Sequence, residues 1–186
     1  MQRSYVRDLV QSAVSAALFV ICAWITIPGP GVTFTLQSFA LYLILFVFGG
    51  RRTLLSCIIY LMLGIIGLPV FSGFQGASAL VGATGGYLWG FIPLCLIYQG
   101  ITFFSDSKWA ILSAAAAGTL VCYLCGTLWF WLIFTGGSQE EFAAVAINCT
   151  VPYIIPDSLK LLLAYRLSCR LQNNPLLVKA LKIHVK

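Results

Sequence analysis

Charge is scarce in this chain. Asp, Glu, Lys and Arg together make up 9% of its 186 residues, where a soluble domain carries about 25%. Histidine occurs once, as His184 in the C-terminal tail. These shortages exclude whole classes of function. No His stands ready to activate a nucleophile, no two carboxylates share an apolar segment, and no cluster of metal ligands appears, so the usual equipment of an enzyme is missing. The glycines between 73 and 90 lack the Gly-Lys-Ser/Thr ending of a phosphate loop, so ATP has no site of its own here. No stripe of basic and aromatic residues points to nucleic acid.

What the chain has in abundance is apolar surface: 60% hydrophobic residues and a mean hydropathy of +0.96. In water such a fold would expose large sticky patches, so its solvent is lipid. A membrane-crossing helix needs about 20 apolar residues, and six apolar segments are legible, at 9–27, 36–50, 53–68, 86–104, 109–135 and 148–168. The expected fold is therefore an all-α integral membrane protein with six transmembrane helices. One membrane domain covers 1–186, and 171–186 form a cytoplasmic tail. The first segment lacks a small-residue cleavage site and reads as a retained helix rather than a signal peptide.

The few charges are distributed unevenly. Arg3, Arg7, Arg51, Arg52, Lys108, Arg166, Arg170, Lys179, Lys182 and Lys186 fall at the termini or in alternate connections. The connections 28–35, 69–85 and 136–147 contain no Lys or Arg. The positive-inside rule then places both termini in the cytoplasm, as an even number of spans requires. Two outer connections, "IPGPGVTFTLQ" (27–37) and "GLPVFSGFQGASALVGATGGY" (67–87), are too apolar for open water. Irregular backbone near membrane depth has to be buried in protein or line a cavity. Both are expected to fold over or into an outward-facing pocket.

Three groups of residues are candidates for function. Asp157 and Lys160 are charged residues within an apolar segment, three apart and hence on one helix face. Each costs about 2.5–3.5 kcal/mol to insert at the bilayer centre. They form either a structural ion pair or a pocket floor that offers an acceptor beside a donor, which suits a cyclic urea or amide. The second group is Thr33, Thr35, Gln37, Gln75, Thr84 and Tyr87, among Phe34, Phe39, Phe71, Phe74 and Trp89. This mixture of sparse polar and many apolar groups fits a small-molecule pocket or ordinary turns and interfacial anchors. The third is the small residues. Gly82/Gly86 and Gly86/Gly90 suit close helix contact, as does the pair Ala13 and Ala17 beside Ser12 and Ala16. Seven cysteines, Cys122 and Cys125 among them, lie mostly in apolar runs and read as soft packing residues rather than a redox or zinc motif.

Several stretches together resemble the BioY family, the biotin-specific substrate-binding subunits (S components) of energy-coupling factor (ECF) vitamin transporters. They are "TFTLQSFAL" (33–41), "GLPVFSGFQG" (67–76), "GATGGYLWGF" (82–91) and "IPDSLK" (155–160), and the likeness runs from about 9 to 170. The resemblance implies biotin uptake at the cell membrane, with no enzyme activity and no cofactor. The partners it implies are an ECF transmembrane coupling subunit and ATPase subunits, docking on an Ala-x-x-x-Ala face, here Ala13 and Ala17. Asp157 and Lys160 would hold the ureido ring of biotin, with Gln75, Gln37 and Tyr87 at motif positions near it. The sequence departs from the family pattern at Ala83, in place of a proline, and at Phe74 and Ala77, in place of glycines. Alternatives are an S component for another vitamin or a biotin precursor, a membrane-embedded enzyme, and a non-transporting assembly protein.

Overall fold

The computed structural model describes residues 2–27, 34–134 and 139–175. Six long or medium helices are present: α1 (Gln2–Trp24), α2 (Gln37–Phe48), α3 (Gly50–Ile65), α5 (Gly85–Phe104), α6 (Lys108–Phe134) and α8 (Val151–Asn173). Two shorter α-helices are also present among the described residues, α4 (Ala77–Val81) and α7 (Gln139–Cys149). Each long helix overlaps one of the six apolar segments. Two expectations need correction. The segment 136–147 is not simply a loop, because helix α7 occupies it from Gln139 onward. Its "QEEFAAVAINC" is built of good helix formers, and Val145 and Cys149, one turn apart, are both buried. The stretch 25–35 is not wholly irregular: β1 (Thr26–Ile27) pairs antiparallel with β2 (Phe34–Thr35), Thr26 opposite Thr35.

The outer surface is apolar, unlike that of a water-soluble protein, around a core that is itself largely apolar. Val6, Leu9, Val10, Val14, Leu96, Leu120, Leu124, Leu128, Leu159 and Leu163 all face outward, whereas Ser12, Ser15, Gln37, Thr53, Ser56, Thr127, Asp157 and Ser168 are buried. This is the distribution expected when lipid surrounds the helices and polar groups pair inside. α5 and α6 are each long and apolar enough to cross a membrane alone. α2, with 12 residues, rises only about 18 Å. It is tolerated because most of its side chains are buried in protein, where it packs on α8 and α1.

Glycine makes the α5–α6 contact close. A β-carbon on Gly86 would overlap the Trp129 side chain, and one on Gly90 would lie 2.9 Å from the Cys122 sulfur. From α6, Gly118 faces Leu94 and Gly126 faces Tyr87 in the same way. The small-residue pair Gly86/Gly90 therefore packs helix on helix as expected. Ala13 and Ala17 do the opposite. They are exposed, while Ser12, Ala16, Phe19 and Ala23 turn inward.

Candidate functional site

Helix α8 supplies the floor of the site. Its inward stripe runs Tyr153, Asp157, Ala164 and Ser168, all buried, at multiples of about one turn. Lys160 lies on the same side. Asp157 and Lys160 form an ion pair of 2.8 Å whose side chains are 11% and 14% exposed. A buried carboxylate and ammonium survive only if their remaining hydrogen-bonding capacity is met, and the surrounding helices meet it. Ser38 at the start of α2 donates to Asp157 Oδ1 (2.8 Å). Tyr123 of α6 donates to Asp157 Oδ2 (2.8 Å). Lys160 donates to the Thr35 carbonyl (2.8 Å) and the Ser38 hydroxyl (3.1 Å) in addition to Asp157. An ammonium has three N–H groups, and each has an acceptor. The pair is thus held by protein groups before any ligand arrives, with helices α2, α6 and α8 and strand β2 tied together at one point.

Beside this network is a cavity of about 110 Å³, lined mostly by apolar side chains with a few placed polar groups, as small-molecule sites are. Leu41, Phe71, Ala79, Leu88, Phe91 and Leu94 form its apolar wall; its polar groups include Thr35, Gln37, Ser38, Tyr42, Thr119 and the ion pair. Gln37 is buried, and its amide nitrogen donates to the Tyr60 hydroxyl (3.0 Å), which donates to the Val70 carbonyl (3.1 Å). Its side-chain nitrogen is thereby oriented, with the amide oxygen left to accept. Tyr42 and Thr119 share a hydrogen bond of 2.9 Å across α2 and α6. At another part of the lining, Tyr87 donates to the Cys149 carbonyl (3.2 Å) and lies 3.4 Å from the Thr150 hydroxyl, itself 2.8 Å from that of Thr127.

Described residues of both apolar connections line this cavity. Thr35 comes from the first, and Phe71, Ser72, Ala79 and Thr84 from the second. Phe71 is 1% exposed; its ring sits edge-on to Tyr60 at 5.0 Å and fills the space over Gly64, where a β-carbon would overlap it. Trp24 fastens the end of α1 to this connection by donating to the Pro69 carbonyl (2.9 Å) and by packing against Phe74 at 5.2 Å. Phe34 stacks on Tyr153 at 4.5 Å.

The structure thus brings Asp157, Lys160, Gln37, Tyr87, Thr35 and Thr84 to one cavity. Gln75 is not brought there. It is exposed and absent from the lining, because the left-handed backbone at Gly73 (φ 68°) and Phe74 (φ 57°) turns the chain away just before it. Phe74 holds a left-handed conformation (φ 57°) that glycine adopts freely. Thr33 lies outside the described residues. Sequence reasoning missed Ser38, Tyr123, Tyr42 and Thr119. Ser38 was within a quoted stretch, but hydroxyls are common in helices; contact with the charged pair marks Ser38 and Tyr123, and a place in the cavity lining marks Tyr42 and Thr119.

The pattern of buried charge, glycine packing and covering loops agrees with the comparison to known proteins. The model of the BioY family matches residues 1–174. This chain belongs to the BioY family. The biotin transporter BioY of Thermotoga maritima is 36% identical over 168 residues, covering 90% of this chain and 96% of that protein. The probable biotin transporter BioY of Pyrococcus horikoshii is 36% identical over 163 residues, covering 87% and 94%. Among solved structures, the S-component for biotin from an ECF-type ABC transporter superposes with a TM-score of 0.75 at 20% identity, over 94% of this chain and 95% of that one. The S component of a bacterial ECF transporter gives 0.63 at 14% identity, over 92% and 99%. These likenesses fix the fold as that of ECF S components. With its apolar exterior, a BioY-family chain is a membrane protein.

Proposed function

We propose that this protein takes up biotin, binding it in the cavity between α2, α5, α6 and α8 and delivering it across the membrane. The observation that carries this reading is the buried Asp157–Lys160 pair beside the cavity in a chain of the BioY family. A ureido ring presents N–H next to C=O. The carboxylate of Asp157 accepts from the N–H, and the ammonium of Lys160 exchanges one of its protein acceptors for the carbonyl oxygen. Gln37 and Tyr87 contact the ligand from α2 and α5. The proposal assigns no contact to Gln75. Catalysis has no part in it.

In this reading the single membrane domain 1–186 crosses the bilayer through α1, α2, α3, α5, α6 and α8. Both termini are cytoplasmic, and the cavity opens outward under the connections 27–37 and 67–87. The absence of Lys and Arg from the outer connections supports this orientation. An ECF transmembrane coupling subunit, with its ATPase subunits, docks on the exposed Ala13 and Ala17. That pair is small enough for close helix approach and free of internal packing. Uptake tests the proposal. Cells that cannot make or import biotin should grow on low external biotin when they express this chain with an ECF module. Failure to grow, with the protein present in the membrane, would refute it.

A further inference from the structure

Among the described residues the cavity lining contains one cation, Lys160. No basic residue lies between Arg7 and Arg51, and between Arg52 and Lys160 there is only Lys108. Lys108 opens α6, 15 residues before the cavity-lining Tyr123, which is roughly 22 Å along the helix. Arg166 and Arg170 lie farther along α8, away from Tyr153 and Asp157. Arg52 is paired with Asp8 (3.0 Å). Lys160 itself is neutralised by Asp157 and has three acceptors for three N–H groups.

A ligand with a ureido ring at one end and a carboxylate at the other therefore meets unequal partners. If the ring occupies the ion pair, the other end meets Thr84, Tyr87 and Cys149, with Thr127 and Thr150 behind them. Thr150 precedes Asp157 by seven residues, roughly 10 Å along α8. Every side chain in that group is uncharged. Hydroxyls both donate and accept, so they serve a carboxylate, an amide or an ester alike. The N-terminus of α5 behind Thr84 favours an anion there by about two- to fivefold, and the N-terminus of α8 at Thr150 is offset by the C-terminus of α7 at Cys149.

We infer that the cavity recognises biotin by its ureido ring and is nearly indifferent to charge at the carboxyl end, so that neutral carboxyl-modified biotins are ligands of the same site. The inference rests on the proposed biotin function and deepens it. Competition of biotin primary amide and biotin methyl ester against labelled biotin on the purified full-length protein tests it. Both should bind within about tenfold of biotin. An amide weaker by a hundredfold or more, while biotin binds tightly, overturns this inference and leaves the proposed function standing. Failure of biotin itself to bind overturns both. Lys160→Met gives a second readout. It should weaken biotin and its amide by the same factor, whereas loss confined to biotin would make Lys160 the carboxylate's partner and refute the inference. If that variant does not fold, the wild-type ratio of amide to biotin decides alone.

Discussion

Replacing Asp157 with Asn separates a ligand site from a structural ion pair. Asn keeps the shape but removes the charge and turns one acceptor oxygen into a donor. Lys160 keeps the Thr35 carbonyl and the Ser38 hydroxyl, and Tyr123 can turn its hydroxyl to the Tyr153 carbonyl at 3.3 Å. Breaking a buried pair costs about 3–5 kcal/mol; these remaining partners put the loss near the lower end. Binding suffers separately, because the ureido N–H now faces a donor. Hydrogen bonds to charged groups are worth about 1.5–3 kcal/mol, and each tenfold in affinity is about 1.4 kcal/mol. Biotin affinity per folded molecule should fall about ten- to a hundredfold. Lys160→Met should do the same, since Asp157 keeps Ser38 and Tyr123 as donors. The double variant removes both charges, so it should recover part of the stability and none of the affinity. The assay is thermal unfolding in detergent together with calorimetric titration of the folded fraction. Lowered stability with wild-type affinity in both single variants would refute the site assignment.

Three further outcomes follow from the packing and the proposed topology. Gly86→Leu forces a side chain into Trp129 and the Cys125 carbonyl; overpacking costs about 1–3 kcal/mol or more, read as a lower unfolding temperature, and an unchanged one would contradict the close α5–α6 contact. Ala17→Trp should abolish co-purification with an ECF module while leaving biotin affinity unchanged, and a parallel loss of affinity would assign Ala17 to internal packing. Gln139→Cys, in a background lacking the native cysteines, should react with an impermeant thiol reagent from outside intact cells; reaction only after permeabilisation would overturn the proposed orientation.

The central features were legible because they violate the local rule. An acid and a base in an apolar segment, and glycine-rich connections too greasy for water, each stand out against 60% hydrophobic residues. The helix segments were legible from apolar length, though not their ends. α1 begins at Gln2 and α8 runs to Asn173, because helix geometry continues through polar residues once the apolar face is packed. Helix α7 was hidden by its polar start. Ser38 and Tyr123 were not legible as site residues, since what makes them functional is a separation from Asp157 of 119 and 34 residues closed by folding. Gln75 misled for the opposite reason. Its amide is suitable chemistry, but two successive left-handed residues before it decide where it goes, and one of them is a phenylalanine that gives no turn signal.

Equilibrium binding of biotin to the purified wild-type protein tests the central claim most directly. The account predicts saturable binding of one biotin per chain, lost in step with Asp157→Asn and Lys160→Met. Absence of saturable binding by folded protein, or binding that both variants leave unchanged, would contradict it.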